Sequence, residues 1–489
     1  MIAPRASQTL TWLAALALPL AACTKMGPDF VPPEPNWKPQ TLGDTGTRSK
    51  DETSRPVASA VAADWWKLLG DPLLTGLEAR LADGNLDLRL AAIRLAEARA
   101  QLGVADAAGR PTLNLDAAAN RIKQSREGAL GLTPNAIGPS SRLRLPYNLF
   151  QTGFDASWEL DLWGRVARSV EAAEAGVSAG EDSVRDVLVT ASAELARDYV
   201  RLRGAQRKLQ ITRANLDIAR QSLSLTQARA AGGLTTDLDV ANAAALVATI
   251  EAQLPAQEQA QAELVNAIAF LMGDAPQTMT AELAAPRAVP PVPPAVPIGV
   301  PSELARRRPD IRVAEDKLHI ATATTGVAVA DFYPRVTLGG FGALQGLSLA
   351  NVADLAPAMA YSFGPSVTLP IFDGGNRKRT LELREAQQME AAITYQRTVL
   401  VALHEVDNAL TAYATEQRRR ARLDAAVVQG RRALGLARLR YEQGVADFLQ
   451  VLSAQRVLLA SEQELADSTT AVSTNFVQLY KALGGGWGE

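Results

Sequence analysis

Leucine recurs at every seventh position along the middle of this chain, at Leu188, Leu195, Leu202, Leu209, Leu216 and Leu223, with mostly polar or small residues between. A sustained seven-residue apolar repeat marks helices that pack side by side as a coiled coil. Most of residues 164–272 returns 211 positions later without a gap: Gly233 matches Gly444, Leu238 matches Leu449, Glu174 matches Glu385 and Glu194 matches Glu405. The heptad places of the second copy hold Val399, Val406, Tyr413, Arg420, Val427, Leu434 and Tyr441. The pattern predicts a tandem pair of very long helical hairpins.

No proline occurs between Gly164 and Gly233. About 65 helical residues would span about 100 Å, too long for a compact domain. Gly232 and Gly233 stop this helix, Leu234-Thr235-Thr236-Asp237 turns it, and a return helix runs to about Met272. Pro255 interrupts the return helix where the second copy has Ala466, so a kink is expected in the first copy alone. Beyond Pro370 the second hairpin, 375–484, has no proline and is expected to run unbroken through its turn at Gly444, Val445 and Ala446. Ahead of the first hairpin, a helical pattern starts near Trp65-Trp66, with Asp71-Pro72 as a helix start, and continues through Leu86, Leu90 and Ile93 to about Ala108.

Four short stretches change period. Residues 111–121, 150–162, 335–342 and 361–369 alternate apolar and polar residues, as strands with one greasy face do. Residues 122–146 and 347–357 read as the loops between them. Aromatic residues cluster here: Tyr147, Phe150, Phe154, Trp158 and Trp163 in one copy, with Phe332, Tyr333, Phe341, Tyr361, Phe363 and Phe372 in the other. Such clustering at strand ends resembles a membrane-interface girdle. A membrane sheet must close on itself, and known bacterial barrels begin at eight strands. Four strands per chain therefore require association of two, three or four copies.

The single cysteine, Cys23, excludes an internal disulfide and a cysteine-based metal cluster. It follows Arg5, an apolar run from Leu10 to Ala22, and the sequence Leu20-Ala21-Ala22. Residues 1–22 then read as a cleaved lipoprotein signal peptide, with Cys23 lipidated as the mature N-terminus; Thr24 in place of Asp favours the outer membrane. Residues 23–63 are an extended strap, proline-rich at first and polar and flexible over 41–59; 64–273 form repeat one, 274–301 a linker whose prolines cluster at 286–301, and 302–489 repeat two. Aromatics at 5% with much Ala and Leu suit helix seams better than a thick core. A formal charge of -2 leaves no basic footprint for nucleic acid.

Enzymatic motifs are missing. His319 and His404 are the two histidines, and His404-Glu405 is followed by Asn408 where a zinc protease needs a second histidine. No metal-binding or catalytic set emerges, and no cofactor is expected beyond the lipid on Cys23.

Six stretches together resemble the TolC-type outer-membrane efflux channels, in their OprM/NodT-like lipoprotein branch. They are Cys23 with Gly27-Pro28-Asp29-Phe30; Trp65-Trp66-Lys67-Leu68-Leu69-Gly70-Asp71-Pro72; Trp158-Glu159-Leu160-Asp161-Leu162-Trp163-Gly164-Arg165; Pro301-Ser302-Glu303-Leu304 with Arg307-Arg308-Pro309-Asp310-Ile311; Pro370-Ile371-Phe372-Asp373-Gly374-Gly375; and Tyr480-Lys481-Ala482-Leu483-Gly484-Gly485-Gly486-Trp487. The resemblance implies a mainly α protein with a small membrane β portion. In it, long helical hairpins form a periplasmic α-barrel, and a homotrimer shares one 12-stranded outer-membrane β-barrel. It further implies docking of the hairpin tips onto a periplasmic adaptor that serves an inner-membrane resistance-nodulation-division pump. Drugs, solvents or metal ions would be exported. Export of protein by type I secretion is the alternative, and a lipid-anchored coiled-coil scaffold a more distant one. At the gate, Tyr441 matches a tyrosine that helps hold the closed state and Asp239 its hydrogen-bonding aspartate, so Tyr441→Phe is expected to raise leak conductance. Where relatives carry inward aspartates this chain has Gln450 and Ser453, with Asp447 as a candidate replacement ring.

Overall fold

The computed structural model describes residues 25–33, 51–123, 146–299 and 307–487. Cys23 and the signal segment, the stretch 124–145 and the motif from Pro301 to Leu304 lie outside the described residues. In chain order the elements are β1 (Arg55–Val57), a 3-10 turn (Trp65–Leu69), α1 (Pro72–Gly84), α2 (Leu86–Ala107), β2 (Thr112–Ile122), β3 (Tyr147–Leu160), α3 (Arg165–Ala231), α4 (Asp237–Glu251), α5 (Gln253–Leu271), α6 (Thr280–Leu283), β4 (Ala295–Pro297), α7 (Pro309–Ala330), β5 (Arg335–Gly346), α8 (Leu349–Val352), α9 (Leu355–Ala358), β6 (Met359–Thr368), α10 (Asn376–Glu442) and α11 (Phe448–Ala482). No described helix is long and apolar enough to cross a membrane. The described residues form two compact units: 25–32, 97–123, 146–178 and 316–393 in one, and 33, 51–96, 179–299, 307–315 and 394–487 in the other.

The first unit holds an antiparallel sheet ordered β2-β3-β5-β6. Its register pairs Leu115 with Phe154, Trp158 with Leu338, Gly340 with Phe363 and Gly342 with Tyr361. Because side chains alternate, one face collects Leu113, Leu115, Phe154, Trp158, Leu338, Tyr361, Phe363 and Val367, and the other Asn114, Asp116, Gln151, Asp155, Thr337 and Gln345. The apolar face is bare, with Phe363 83% and Tyr361 72% exposed. β2 and β6 each have one unpaired edge among the described residues. Gly153 is required by close approach: a Cβ there would lie 2.4 Å from the Ala343 Cα.

Three of the strands run longer than alternation indicated. β3 starts at Tyr147 and ends at Leu160, β5 reaches Gly346 and β6 starts at Met359, because ladder pairing extends through glycine, glutamine and methionine positions that carry no alternating signal. The expected loop at 347–357 contains two one-turn helices, α8 and α9. Phe341 stands on the polar face opposite Asp155, outside the expected girdle. At the other end, Trp163 stacks on Tyr333 at 5.0 Å and donates to the Pro334 carbonyl at 2.8 Å, while Phe372 is 89% exposed.

Residues 25–33 clamp onto this unit. Met26 donates its amide to the Trp163 carbonyl at 3.0 Å, and the Arg168 guanidinium meets Asp29 at 2.6 Å and Glu171 at 2.9 Å. Phe30 stacks on the His319 ring at 4.3 Å. Arg168 is fully buried, so its acceptors, the Asp29 and Glu171 carboxylates and the Met26 and Gly27 carbonyls, offset the cost of desolvating it.

In the second unit the heptad leucines do what their spacing predicts: Leu195, Leu202, Leu209 and Leu216 are buried, as are Val399, Val406, Tyr413, Val427 and Leu434 in the second copy. Around them Trp65 stacks on Tyr480 at 5.4 Å, and Phe476 packs against both. Of the stretch 41–59 expected to be polar and flexible, residues 51–59 pack onto this unit, and 41–50 lie outside the described residues. β1 pairs in parallel with β4, which lies inside the proline-rich linker, and Ser54 is buried, its amide donating to Gln417 at 2.9 Å and its hydroxyl accepting from Tyr413 at 2.7 Å. Prolines leave carbonyls without competing amides, and the Pro293 carbonyl accepts from the Ser54 hydroxyl.

The run expected to be one helix from Trp65 breaks twice. Gly70 ends the 3-10 turn in a left-handed conformation, and Asp71 caps α1 by accepting from Leu73 and Leu74. The second break is tertiary. A Cβ on Gly84 would collide with the Met272 carbonyl oxygen at 2.2 Å, and Asn85 spans the break by donating to the Leu271 carbonyl and accepting from Leu88. The return helix kinks as expected in one copy: α4 ends at Glu251 and α5 begins at Gln253, one turn around Pro255, whereas α11 continues through Ala466.

Candidate functional site

The hairpin ends are the place where the chain's polar chemistry, exposed turns and aromatic packing meet. Both long helices finish with the same device. Leu234 donates to the Arg229 carbonyl at 2.8 Å and Gly233 to that of Ala230 at 2.9 Å; Val445 donates to Arg440 at 3.0 Å and Gly444 to Tyr441 at 2.9 Å. This is the Schellman closure, and it needs a left-handed residue, supplied by Gly233 (φ 69°) and Gly444 (φ 75°). Leu234 and Val445 then stand exposed at 71% and 61%. Gly232, Thr235 and Ala446 complete the two turns.

The next helices also start alike. Thr236 caps α4 by accepting from the Asp239 amide, while Asp239 reaches back to the Thr236 amide, a reciprocal capping box. Asp239 also accepts from the Thr235 hydroxyl at 2.5 Å and the Thr236 hydroxyl at 3.0 Å. The Thr235 hydrogen bond holds the Asp239 carboxyl below its ordinary value. In the second copy Asp447 caps α11 by accepting from the Gln450 amide at 3.3 Å.

What fills the second end is different. Tyr441 is 4% and Phe448 1% exposed, with ring centroids 5.5 Å apart in an edge contact. The Arg229 guanidinium lies 4.6 Å over the Tyr441 ring, and its Nη1 donates to the carbonyls of Tyr441 at 3.0 Å and Glu442 at 3.3 Å. A cation thus sits on the last carbonyls of α10, where helix dipole and unpaired acceptors both favour it, and its flat face covers an aromatic ring. A cavity of about 110 Å³ adjoins, lined by Ser222, Leu225, Arg438, Tyr441, Phe448 and Val451 among others.

Tyr441 and Asp239 are therefore not joined. The Tyr441 hydroxyl is buried without a hydrogen-bond partner among the described residues, and the Asp239 carboxylate is taken up by its own turn. Any hold that Tyr441 exerts within one chain comes from the ring and not the hydroxyl, which reverses the ground for expecting Tyr441→Phe to loosen this end. Asp447 is engaged as a helix cap, and Gln450 and Ser453 are exposed. Sequence reasoning missed Arg229 and Phe448. The available signal was an arginine four residues before each turn glycine, Arg229 and Arg440. Among the described residues no cluster of His, Cys, Asp or Glu could hold a metal ion. Neither histidine heads a catalytic set: His319 bonds to Glu171 at 3.2 Å, and His404 stands on α10.

Comparison with known proteins puts these features in context. The family model described as outer membrane efflux protein matches residues 79–274 and 300–485, one segment per repeat. The chain is similar to the outer membrane protein OprJ of Pseudomonas aeruginosa, 33% identical over 97% of this chain and 95% of the relative. It is 31% identical to the solvent efflux pump outer membrane protein SrpC of Pseudomonas putida, over 96% of this chain and 98% of that one. Among solved structures, the outer-membrane channel OprN superposes with a TM-score of 0.85 at 33% identity, covering 95% of this chain and all of the other.

Proposed function

Because this chain belongs to the outer membrane efflux protein family, we propose that it is the exit duct of a tripartite efflux pump, through which small molecules such as drugs, solvents or metal ions leave the cell. Members of the family are conduits and not enzymes, and the energy comes from elsewhere. The working form is a homotrimer. Three four-stranded sheets close one twelve-stranded barrel in the outer membrane, and the long hairpins line a periplasmic tunnel. A lipid on Cys23 anchors each copy beside the clamp of residues 25–33. The turns at Gly232–Thr235 and Gly444–Ala446 dock onto a periplasmic adaptor, which links the duct to an inner-membrane pump of the resistance-nodulation-division class.

The observation that carries this reading is the sheet: four strands with an apolar face exposed on one side, a polar face on the other, and two unpaired edges. In lipid such edges must find strands, and a second copy supplies them. A soluble coiled-coil scaffold gives no reason for that face. The helices support the same assembly. α2 buries Leu88 and Ala91, as α7 buries Ile311 and Ala314 at the matching places, yet α2 leaves Leu86, Leu90 and Ile93 exposed by half or more, an apolar face that a neighbouring copy would cover.

The test uses the full-length Cys23→Ala variant, which lacks the anchoring thiol. It is expected to stay in the membrane fraction, to need detergent for extraction, to run as a trimer by light scattering, and to conduct in planar bilayers. Quantitative recovery in aqueous buffer would remove the barrel and leave the scaffold reading.

A further inference from the structure

The internal repeat makes one contact in this chain imply another that the chain cannot make alone. Arg229 on α3 caps the last two carbonyls of α10, those of Tyr441 and Glu442. Moved by the offset of 211 that relates Gly233 to Gly444, the donor becomes Arg440 and the acceptors become the carbonyls of Ala230 and Ala231. The two turns have matching hydrogen bonds, so the acceptor carbonyls present the same geometry. Within one chain the Arg440 side chain is exposed and makes no hydrogen bond or ion pair among the described residues, while its backbone carbonyl accepts from Val445. We infer that Arg440 caps α3 of a neighbouring copy, so that each hairpin end is completed by an arginine from the hairpin before it, once within the chain and once between chains. This rests on the assembly of copies proposed above.

Two further features fit a second copy as the occupant. Leu436 and Leu439, on the same turns as Arg440, are bare at 54% and 50%. The counterpart of Leu436 is Leu225, which lines the cavity beside Tyr441 within the chain. Charge is also complementary. The position matching Phe448 is Asp237, exposed at the start of α4, and Arg432 and Arg440 would face it across the seam. The two kinds of seam therefore differ in chemistry. The seam inside a chain is plugged by Tyr441 and Phe448. The seam between chains has Ala230 and Asp237 in those places, and is held by a helix-end cap and opposite charges. Salt screens exposed charges and leaves a buried aromatic contact largely untouched. The hairpin ends part first between chains, and more readily as ionic strength rises.

Cross-linking of the full-length protein in detergent decides this. Arg440→Cys with Ala231→Cys, treated with a short bis-maleimide, is expected to give covalent dimers and trimers, and fewer of them at high salt. Arg229→Cys with Glu442→Cys should give a cross-link within one chain that salt does not change, and the chain with Cys23 alone is the background control. Absence of bands between chains in a preparation that scatters light as a trimer would overturn the Arg440 contact. A monomer by light scattering would instead remove the assembly itself. A charge swap, Arg440→Glu with Asp237→Arg, should restore low-salt closure lost in Arg440→Glu alone, measured as leak conductance; failure to restore it would remove the ionic part of the seam.

Discussion

At the first hairpin end Gly233 closes α3 and Thr236 with Asp239 opens α4; at the second, Gly444 closes α10 and Asp447 opens α11. Backbone and caps are near copies. The side chains packed on them are not, since Tyr441 and Phe448 are buried where the first copy has Ala230 and Asp237. The first end is held by local hydrogen bonds that any chain with this turn sequence could form. The second is held by a ring pair and by an arginine from α3, over 200 positions away in sequence. Duplication preserved the turn, which is determined locally, and let the packing diverge, which depends on the neighbour.

The sharpest way to break this contrast is Phe448→Ala. Removing a fully buried ring costs about 3–5 kcal/mol, and native-state hydrogen exchange should show local opening of the α10–α11 turn by that amount. Asp237→Ala at the matching place in the first copy should stay within about 0.5 kcal/mol. If both changes act equally, the two ends are not held differently.

Substituting the turn glycines should show what the ends share. Gly233→Ala and Gly444→Ala each force an L side chain into the left-handed region, at about 1–2 kcal/mol, and should destabilise their own turns equally in the same exchange measurement. The caps come next. Thr236→Ala and Asp447→Ala should each lose about 1 kcal/mol of helix-start stability.

Only the first end has a titrating carboxylate at the third helical position. Asp239 has a lowered folded pKa, so its contribution is present above its unfolded value and is lost as pH falls through the folded one. Protection of α4 should therefore weaken in acid below the ordinary Asp range, and Asp239→Asn should remove that dependence. A dependence that survives the substitution would assign it to another group.

The smallest effect is expected from Tyr441→Phe. Among the described residues the hydroxyl has no hydrogen bond to lose, so leak conductance in planar bilayers should be unchanged, whereas Tyr441→Ala should raise it by uncovering Arg229 and Phe448. A rise with Phe would mean that the hydroxyl finds its partner on another copy.

Much of the helical architecture was legible in the residues. Heptad leucines, proline-free runs and paired glycines predicted both hairpins and the single kink at Pro255, because these signals act within a few residues of where they stand. The strands were found but clipped, since Gly346 and Met359 join the ladder through backbone pairing that no alternation announces. At the candidate site the turns were legible, the caps at Thr236 and Asp447 were not identified, and the link from Tyr441 to Asp239 was not what formed. A family motif marked both residues, but the carboxylate had nearer donors in Thr235 and Thr236.

Sequence alone determined that this chain is a duplicated long hairpin with four alternating strands and a turn glycine at each tip, because period, proline and glycine constrain backbone locally. Tertiary structure decided that Gly84 and Asn85 break a helix against Met272, that Ser54 and a proline-rich linker enter the core, and that Arg229 covers Tyr441. Each of these depends on which distant backbone arrives within hydrogen-bonding or van der Waals reach. A one-dimensional pattern carries no measure of that distance.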